Sequence, residues 1–174
     1  MPLNKGYLQV YTGNGKGKTT ASLGLGLRAA GAGLKVHMVQ FMKGRRYSEI
    51  DAIMDIPNFT ISQHGRDEFV SRENPERVDI ELARKGFEKA REVVLSGEFD
   101  MVILDEINVA ADYGLVAIQE VIDLIKGRPD HVELILTGRS APREFIESAD
   151  LVTEMREVKH FYNQGVEARK GIEF

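Results

Sequence analysis

Apolar and polar positions along the chain switch repeatedly between two periods. Tyr7-Leu8-Gln9-Val10-Tyr11 is a β-rich run, followed by glycine punctuation and a helical stretch over about Lys18–Ala30, with Gly31 and Gly33 as its stop signals. Val36 to Phe41 reads as a buried strand and Phe59-Thr60-Ile61 as a weaker one. From Pro75 to about Leu95 the spacing of Val78, Leu82, Phe87, Ala90 and Val94 predicts a long amphipathic helix. Met101-Val102-Ile103-Leu104 is almost wholly apolar, as a strand covered on both faces should be. A helix around Ala117–Ile125, the strand Val132–Thr137, a short helix near Pro142–Glu147 and a strand from Leu151 complete the pattern. Strands alternating with helices predict an α/β fold, a mostly parallel sheet of about six strands with helices on both faces. In such sheets ligands sit beyond the carboxyl ends of the strands.

Composition fits this picture and narrows it. At 174 residues, with 43% apolar and 29% charged positions, the chain has the length and make-up of a single domain over 1–174. No cysteine occurs, which excludes disulfides, thiolate metal sites and cysteine nucleophiles. The start, Met1-Pro2-Leu3-Asn4-Lys5-Gly6, has no signal-peptide core, and no stretch is apolar enough for a membrane span; the expectation is a cytoplasmic protein. The net charge of −4 divides unevenly, 8 basic against 3 acidic side chains in residues 1–65 and the acidic excess beyond them. The basic part points to an anionic ligand, and the lack of uniform basicity argues against nucleic acid.

The strongest chemical signal is Thr12-Gly13-Asn14-Gly15-Lys16-Gly17-Lys18-Thr19-Thr20, between a predicted strand and a predicted helix. Glycines there permit positive φ and leave backbone N–H groups free to converge on phosphate oxygens. The helix N-terminus adds about half a positive charge, Lys18 a mobile full one, and Thr19 a hydroxyl for magnesium. The standard phosphate-loop spacing puts its first glycine where this chain has Thr12; Gly13 comes one place late. A second element, the apolar run ending in Asp105-Glu106, is how nucleotide sites commonly hold magnesium, through either acid.

These residues establish a nucleoside triphosphate site and leave its reaction open. Guanine-recognition (N-K-x-D) and protein-kinase (H-R-D, D-F-G) sequences are absent. His37, His64, His131 and His160 lack metal-ligand spacing and read as surface or core residues. The loop and the acid strand alone are equally compatible with an ATPase that hydrolyses ATP to ADP as a switch or motor.

The wider sequence narrows the choice. Tyr11 through Ala21, Val39-Gln40-Phe41-Met42-Lys43-Gly44, Val102-Ile103-Leu104-Asp105-Glu106, Leu136-Thr137-Gly138-Arg139, Val158-Lys159-His160 and Gly171-Ile172-Glu173-Phe174 together resemble the corrinoid adenosyltransferases of the bacterial cobalamin pathway. The resemblance runs from about Gly6 to the last residue, and the offset glycine is a feature of that family.

The resemblance implies a RecA-like P-loop fold, a homodimer, a magnesium or manganese requirement and an electron-donor reductase as partner. It implies transfer of the 5′-deoxyadenosyl group of ATP to cobalt(I) of a corrinoid, with release of triphosphate. ATP would lie in the loop in a reversed sense, its terminal phosphate where related proteins hold an inner one. On this reading Gly13, Asn14, Gly15, Lys16, Gly17, Lys18, Thr19, Thr20 and Arg28 bind ATP, and Lys18 and Lys16 stabilise the departing charge. Thr19 holds the metal with Glu106 or Asp105, Glu106 being favoured as the direct ligand. Better-known members carry an aromatic pair that presses on the corrinoid. The matching stretch here, Gly65-Arg66-Asp67-Glu68-Phe69-Val70, has one aromatic, so Phe69 is either the corrinoid contact or a core residue. The N-terminal helical extension that some relatives place over the site has no counterpart before the first strand, which implies a lid from elsewhere in the chain or from a partner subunit.

Overall fold

A computed structural model describes residues 3–174; the Met1-Pro2 start on which the leaderless reading rests lies outside them. Six strands, β1 (Leu8–Thr12), β2 (Val36–Phe41), β3 (Phe59–His64), β4 (Met101–Asp105), β5 (Glu133–Thr137) and β6 (Leu151–Glu154), form one sheet in the order β3-β2-β4-β5-β1-β6. Every pairing is parallel. The fold is α/β of the RecA-like P-loop kind. Strand β5 lies between the loop strand β1 and the acid strand β4, so their carboxyl ends are two strand spacings apart, about 10 Å.

Covering both faces explains the apolar strands. Helices α1 (Lys18–Gly31) and α2 (Ser48–Met54) bury Ala29, Ala30 and Ile53 against Val36, Met38, Ile103 and Ile135. On the other face α3 (Arg77–Ser96), α4 (Ile107–Asp112), α5 (Ile118–Gly127) and α6 (Arg143–Ser148) close over Val39, Phe41, Leu104 and Leu136. The period-2 side chains of β2 therefore divide between two cores.

Most elements fall where the periodicity puts them, with three differences. Of the apolar positions expected to mark the buried face of α3, Phe87, Ala90 and Val94 are buried, whereas Val78 is exposed and Leu82 only half-buried. The first turn is held instead by Asp79, whose carboxylate accepts from the Glu76 backbone N–H at 3.0 Å and closes the helix start. The stop of α1 is Gly33 alone (φ 85°): Gly33 N donates to Ala30 O and Leu34 N to Ala29 O, a Schellman closure, while Gly31 is still helical. Helices α2 and α4, of 7 and 6 residues, have no counterpart in the expected elements: fewer than two full turns carry little period, and neither has a proline at its start as the equally short α6 has in Pro142. No helix of the described residues is long and apolar enough to cross a membrane.

Candidate active site

The loop between β1 and α1 is shaped by its neighbours. Thr12, where the standard spacing expects glycine, is still a strand residue, and its Oγ1 accepts from Ala141 N at 3.2 Å. Gly13 has φ 93°, and a Cβ there would lie 2.5 Å from the Met155 carbonyl oxygen. The chain leaving β6 runs against the loop at this point, with Gly15 N donating to Met155 O at 2.6 Å. The glycine is thus required one residue later than usual because that is where the backbone both turns left-handed and meets the strand-β6 exit.

Inside the loop, Lys18 Nζ donates to Gly13 O and Gly15 O, both at 2.8 Å, using two of its three N–H donors. Lys18 is buried, and burial lowers its pKa from the ordinary lysine value, an effect that the negative charge of Glu106 opposes. A charged ammonium held against loop carbonyls at a helix start is poised to exchange them for phosphate oxygens.

Across the sheet, Asp105 at the end of β4 is fully buried and fully occupied. It accepts from Thr19 Oγ1 (2.9 Å) and Thr137 Oγ1 (2.6 Å) on one oxygen, and from Gln40 Nε2 (3.2 Å) and Lys43 Nζ (2.6 Å) on the other. Thr137, on the intervening strand β5, bridges the gap that the topology opens. Burial alone would raise the Asp105 pKa, but the Lys43 charge and these donors hold it below the usual carboxylate range.

Glu106 contrasts with its neighbour. It sits at φ 63° between β4 and α4, lines the cavity, and its carboxylate has no hydrogen-bond or ion-pair partner among the described residues. Burial and the adjacent Asp105 charge raise its pKa. A partnerless, half-buried carboxylate facing the same cavity as the Thr19 hydroxyl supplies hard oxygen donors, the chemistry that suits magnesium or manganese. Lys43, whose ammonium lies 2.6 Å from Asp105 and 3.3 Å from Thr19 Oγ1, already places one cation in this oxygen-rich corner.

The loop, Lys43, Glu106, Phe69 and Arg139 surround one cavity of about 650 Å³ at the carboxyl ends of the strands. This volume suits a nucleotide-sized ligand. Residues 4–174 match the ATP:corrinoid adenosyltransferase BtuR/CobO/CobP family. The chain belongs to this family. It is similar to the corrinoid adenosyltransferase of Pseudomonas aeruginosa, with 37% identity over 171 residues, 98% of this chain and 84% of the relative. The corrinoid adenosyltransferases of Escherichia coli K12 and Salmonella typhimurium LT2 are 35% and 34% identical over 170 residues each, 98% of this chain and 86% of each relative.

For a member of this family, the structure gathers most of the residues singled out in the sequence. Gly15, Lys16, Gly17, Lys18, Thr19, Thr20 and Glu106 face the cavity; Gly13 and Asp105 stand behind them, holding Lys18, Thr19 and Lys43. Asn14 is exposed outside the cavity lining. Arg28 is exposed in the last turn of α1, ten residues or about 15 Å along the axis from Lys18, and does not line the cavity. Phe69 is not a core residue: its side chain is fully exposed at the cavity's edge.

The loop bearing Phe69 is anchored at its base. Arg66 makes a two-pronged pair with buried Asp79 (2.7 and 3.0 Å) and a further contact with Glu76 (2.8 Å). Gly65 and Gly44 bring its backbone against the Lys43 loop so closely that a Cβ on either would lie within 2.4 Å of main-chain atoms. Several cavity residues went unassigned in the sequence, among them Arg139, Tyr47, Glu173 and Phe174. Arg139 and the Gly171–Phe174 run sit in motifs shared with the family, which was their available signal; Tyr47 had none.

Proposed function

We infer that the protein is an ATP:corrinoid adenosyltransferase of adenosylcobalamin synthesis. One observation carries the reading beside the family match: the offset loop and an unpartnered Glu106 face the same nucleotide-sized cavity, with an exposed aromatic, Phe69, at its edge. In the reaction the cobalt(I) electron pair attacks C5′ of ATP, a cobalt–carbon bond forms as the C5′–O bond breaks, and triphosphate leaves with the electron pair. Cobalt is oxidised by two electrons to cobalt(III) and no proton is transferred. No side chain need act as a general base, because cobalt(I) is itself the nucleophile.

The chain's task is to align C5′ with the attacking atom and to stabilise the departing charge. Lys18, Lys16, Arg139 and the loop amides supply positive charge around the triphosphate. Magnesium or manganese, bound by Thr19 and Glu106, would further neutralise that charge. Asp105 orients Thr19 and Lys43 and is not itself the direct ligand in this reading, since all its acceptor positions are taken. ATP lies with its terminal phosphate deepest in the loop, so that C5′ points out toward the corrinoid. Phe69 contacts the corrinoid face. A homodimer, a reductase that supplies the electrons, and a cytoplasmic setting complete the proposal.

Anaerobic incubation with ATP and chemically reduced corrinoid tests it. The expected result is adenosylated corrinoid and one intact triphosphate per turnover. ADP and orthophosphate with unchanged corrinoid would point to the hydrolytic reading instead.

A further inference from the structure

Residues 169–174 close one side of the nucleotide cavity, and they are tied down at two separated places. At the loop, Lys16 Nζ donates to Ile172 O at 3.3 Å and faces Glu173 Oε1 at 3.7 Å. Toward α2, Ser48 Oγ donates to Phe174 O at 3.1 Å, and the Arg45 guanidinium lies 4.2 Å from the centre of the Phe174 ring. Between these anchors Glu173 accepts from the Arg169 backbone N–H at 2.7 Å and from its guanidinium at 3.2 and 3.3 Å. Residues 162–172 are exposed, and the chain turns inward only at Glu173 and Phe174. The segment is a strap over the cavity.

Lys16 belongs to two structures at once, since it is both a phosphate-loop lysine and an anchor of the strap. Its pairing with Glu173 is long and half-exposed, a geometry that contributes little in water. A triphosphate carries several negative charges and attracts the same ammonium more strongly than one carboxylate does. Its arrival also brings a polyanion beside Glu173, which stays charged through its pairing with Arg169.

We propose that residues 169–174 form a strap that competes with the phosphates of the nucleotide for Lys16, with Glu173 setting the balance. The proposal rests on the assignment of phosphates to this loop. When triphosphate takes Lys16, Glu173 keeps Arg169, the loop anchor of the strap opens, and the Phe174 anchor on Arg45 and Ser48 remains. Occupancy of the first site thereby loosens the wall of the cavity at the loop end.

The test uses the full chain, titrated calorimetrically with ATP and with inorganic tripolyphosphate, and hydrogen exchange of the 166–174 peptide. Glu173→Gln keeps the side chain's size and removes its charge. It should tighten both ligands about two- to fivefold, the range an exposed pair can supply. In a Lys16→Ala background the gain should shrink to what the direct repulsion between Glu173 and the phosphates supplies. In the wild type, saturating tripolyphosphate should speed exchange of the peptide. A purely structural strap predicts weaker or unaltered binding in Glu173→Gln. That result, or exchange unchanged by ligand, overturns the proposal while leaving the phosphate site standing. If the wild type binds neither ATP nor tripolyphosphate, the phosphate assignment and the strap fall together.

Discussion

The ammonium of Lys43 lies 2.6 Å from the buried carboxylate of Asp105, and this pair joins the loop after β2 to the end of β4. Burial opposes both charges, yet mutual attraction prevails: the Lys43 pKa is held above its ordinary value and that of Asp105 below. Asp105→Asn removes the counter-charge and leaves Lys43 beside an amide that cannot replace it. The expected cost is about 3 kcal/mol, read as a lower urea midpoint at unchanged slope. Replacing Lys43 by Met in the same chain should recover part of that loss, because it removes the stranded charge.

Lys18 holds the loop carbonyls of Gly13 and Gly15 and is a buried cation within the loop expected to hold the phosphates. Lys18→Ala should remove a charge-assisted contact of about 1.5–3 kcal/mol, lowering kcat/KM for adenosyl transfer roughly ten- to a hundredfold. An unchanged kcat/KM would show that Lys18 does not carry this role.

Arg66 does not line the cavity; it anchors the loop that carries Phe69, the proposed corrinoid contact. Arg66→Met should free that loop from Asp79 and Glu76, raising KM for the corrinoid several-fold with little change in KM for ATP. A Phe69→Ala variant should show the same split, and combining the two should add little. Equal changes in both KM values would mean that the loop acts on the whole fold.

His37 makes stability depend on pH. It is buried, bonded through Nδ1 to Thr60 Oγ1 at 2.8 Å and through Nε2 to Ser62 Oγ at 3.2 Å. Burial, aided by the positive charge of Lys89, lowers its pKa from 6.5 to about 4. Between these values the unfolded chain binds a proton that the folded chain refuses. This contribution is therefore fully present above pH 6.5 and declines as the pH falls toward 4, by up to about 3 kcal/mol. In His37→Gln the slope of unfolding free energy against pH over this window should flatten; an unaltered slope would assign the acid sensitivity elsewhere.

Long elements with a clear period were legible in the sequence, and so was the phosphate loop, because glycine and lysine are required there by backbone geometry and charge. The offset of Gly13 was visible, but its cause was not: the Met155 carbonyl approaches from the exit of β6, more than 140 positions away in sequence. Asp105 and Glu106 were readable as a pair, and the preference for Glu106 as the direct ligand came from the family resemblance and not from the residues themselves. Only tertiary packing gives one four donors and leaves the other without a partner. Phe69 could not be sorted between surface and core, since a single aromatic in a charged loop has no period. The anchoring of the strap was hidden for a different reason: its motif is visible, but the main-chain carbonyls of Ile172 and Phe174 that help to tie it down carry no sequence signal.

The most direct measurement follows the C5′ carbon itself. ATP isotopically labelled at C5′ is incubated anaerobically with cobalt(I) corrinoid and the protein, then examined by carbon and phosphorus NMR. Adenosyl transfer predicts that the label moves to a cobalt-bound carbon while triphosphate accumulates in equal amount. Label remaining in ADP, with orthophosphate as the phosphorus product, would contradict it.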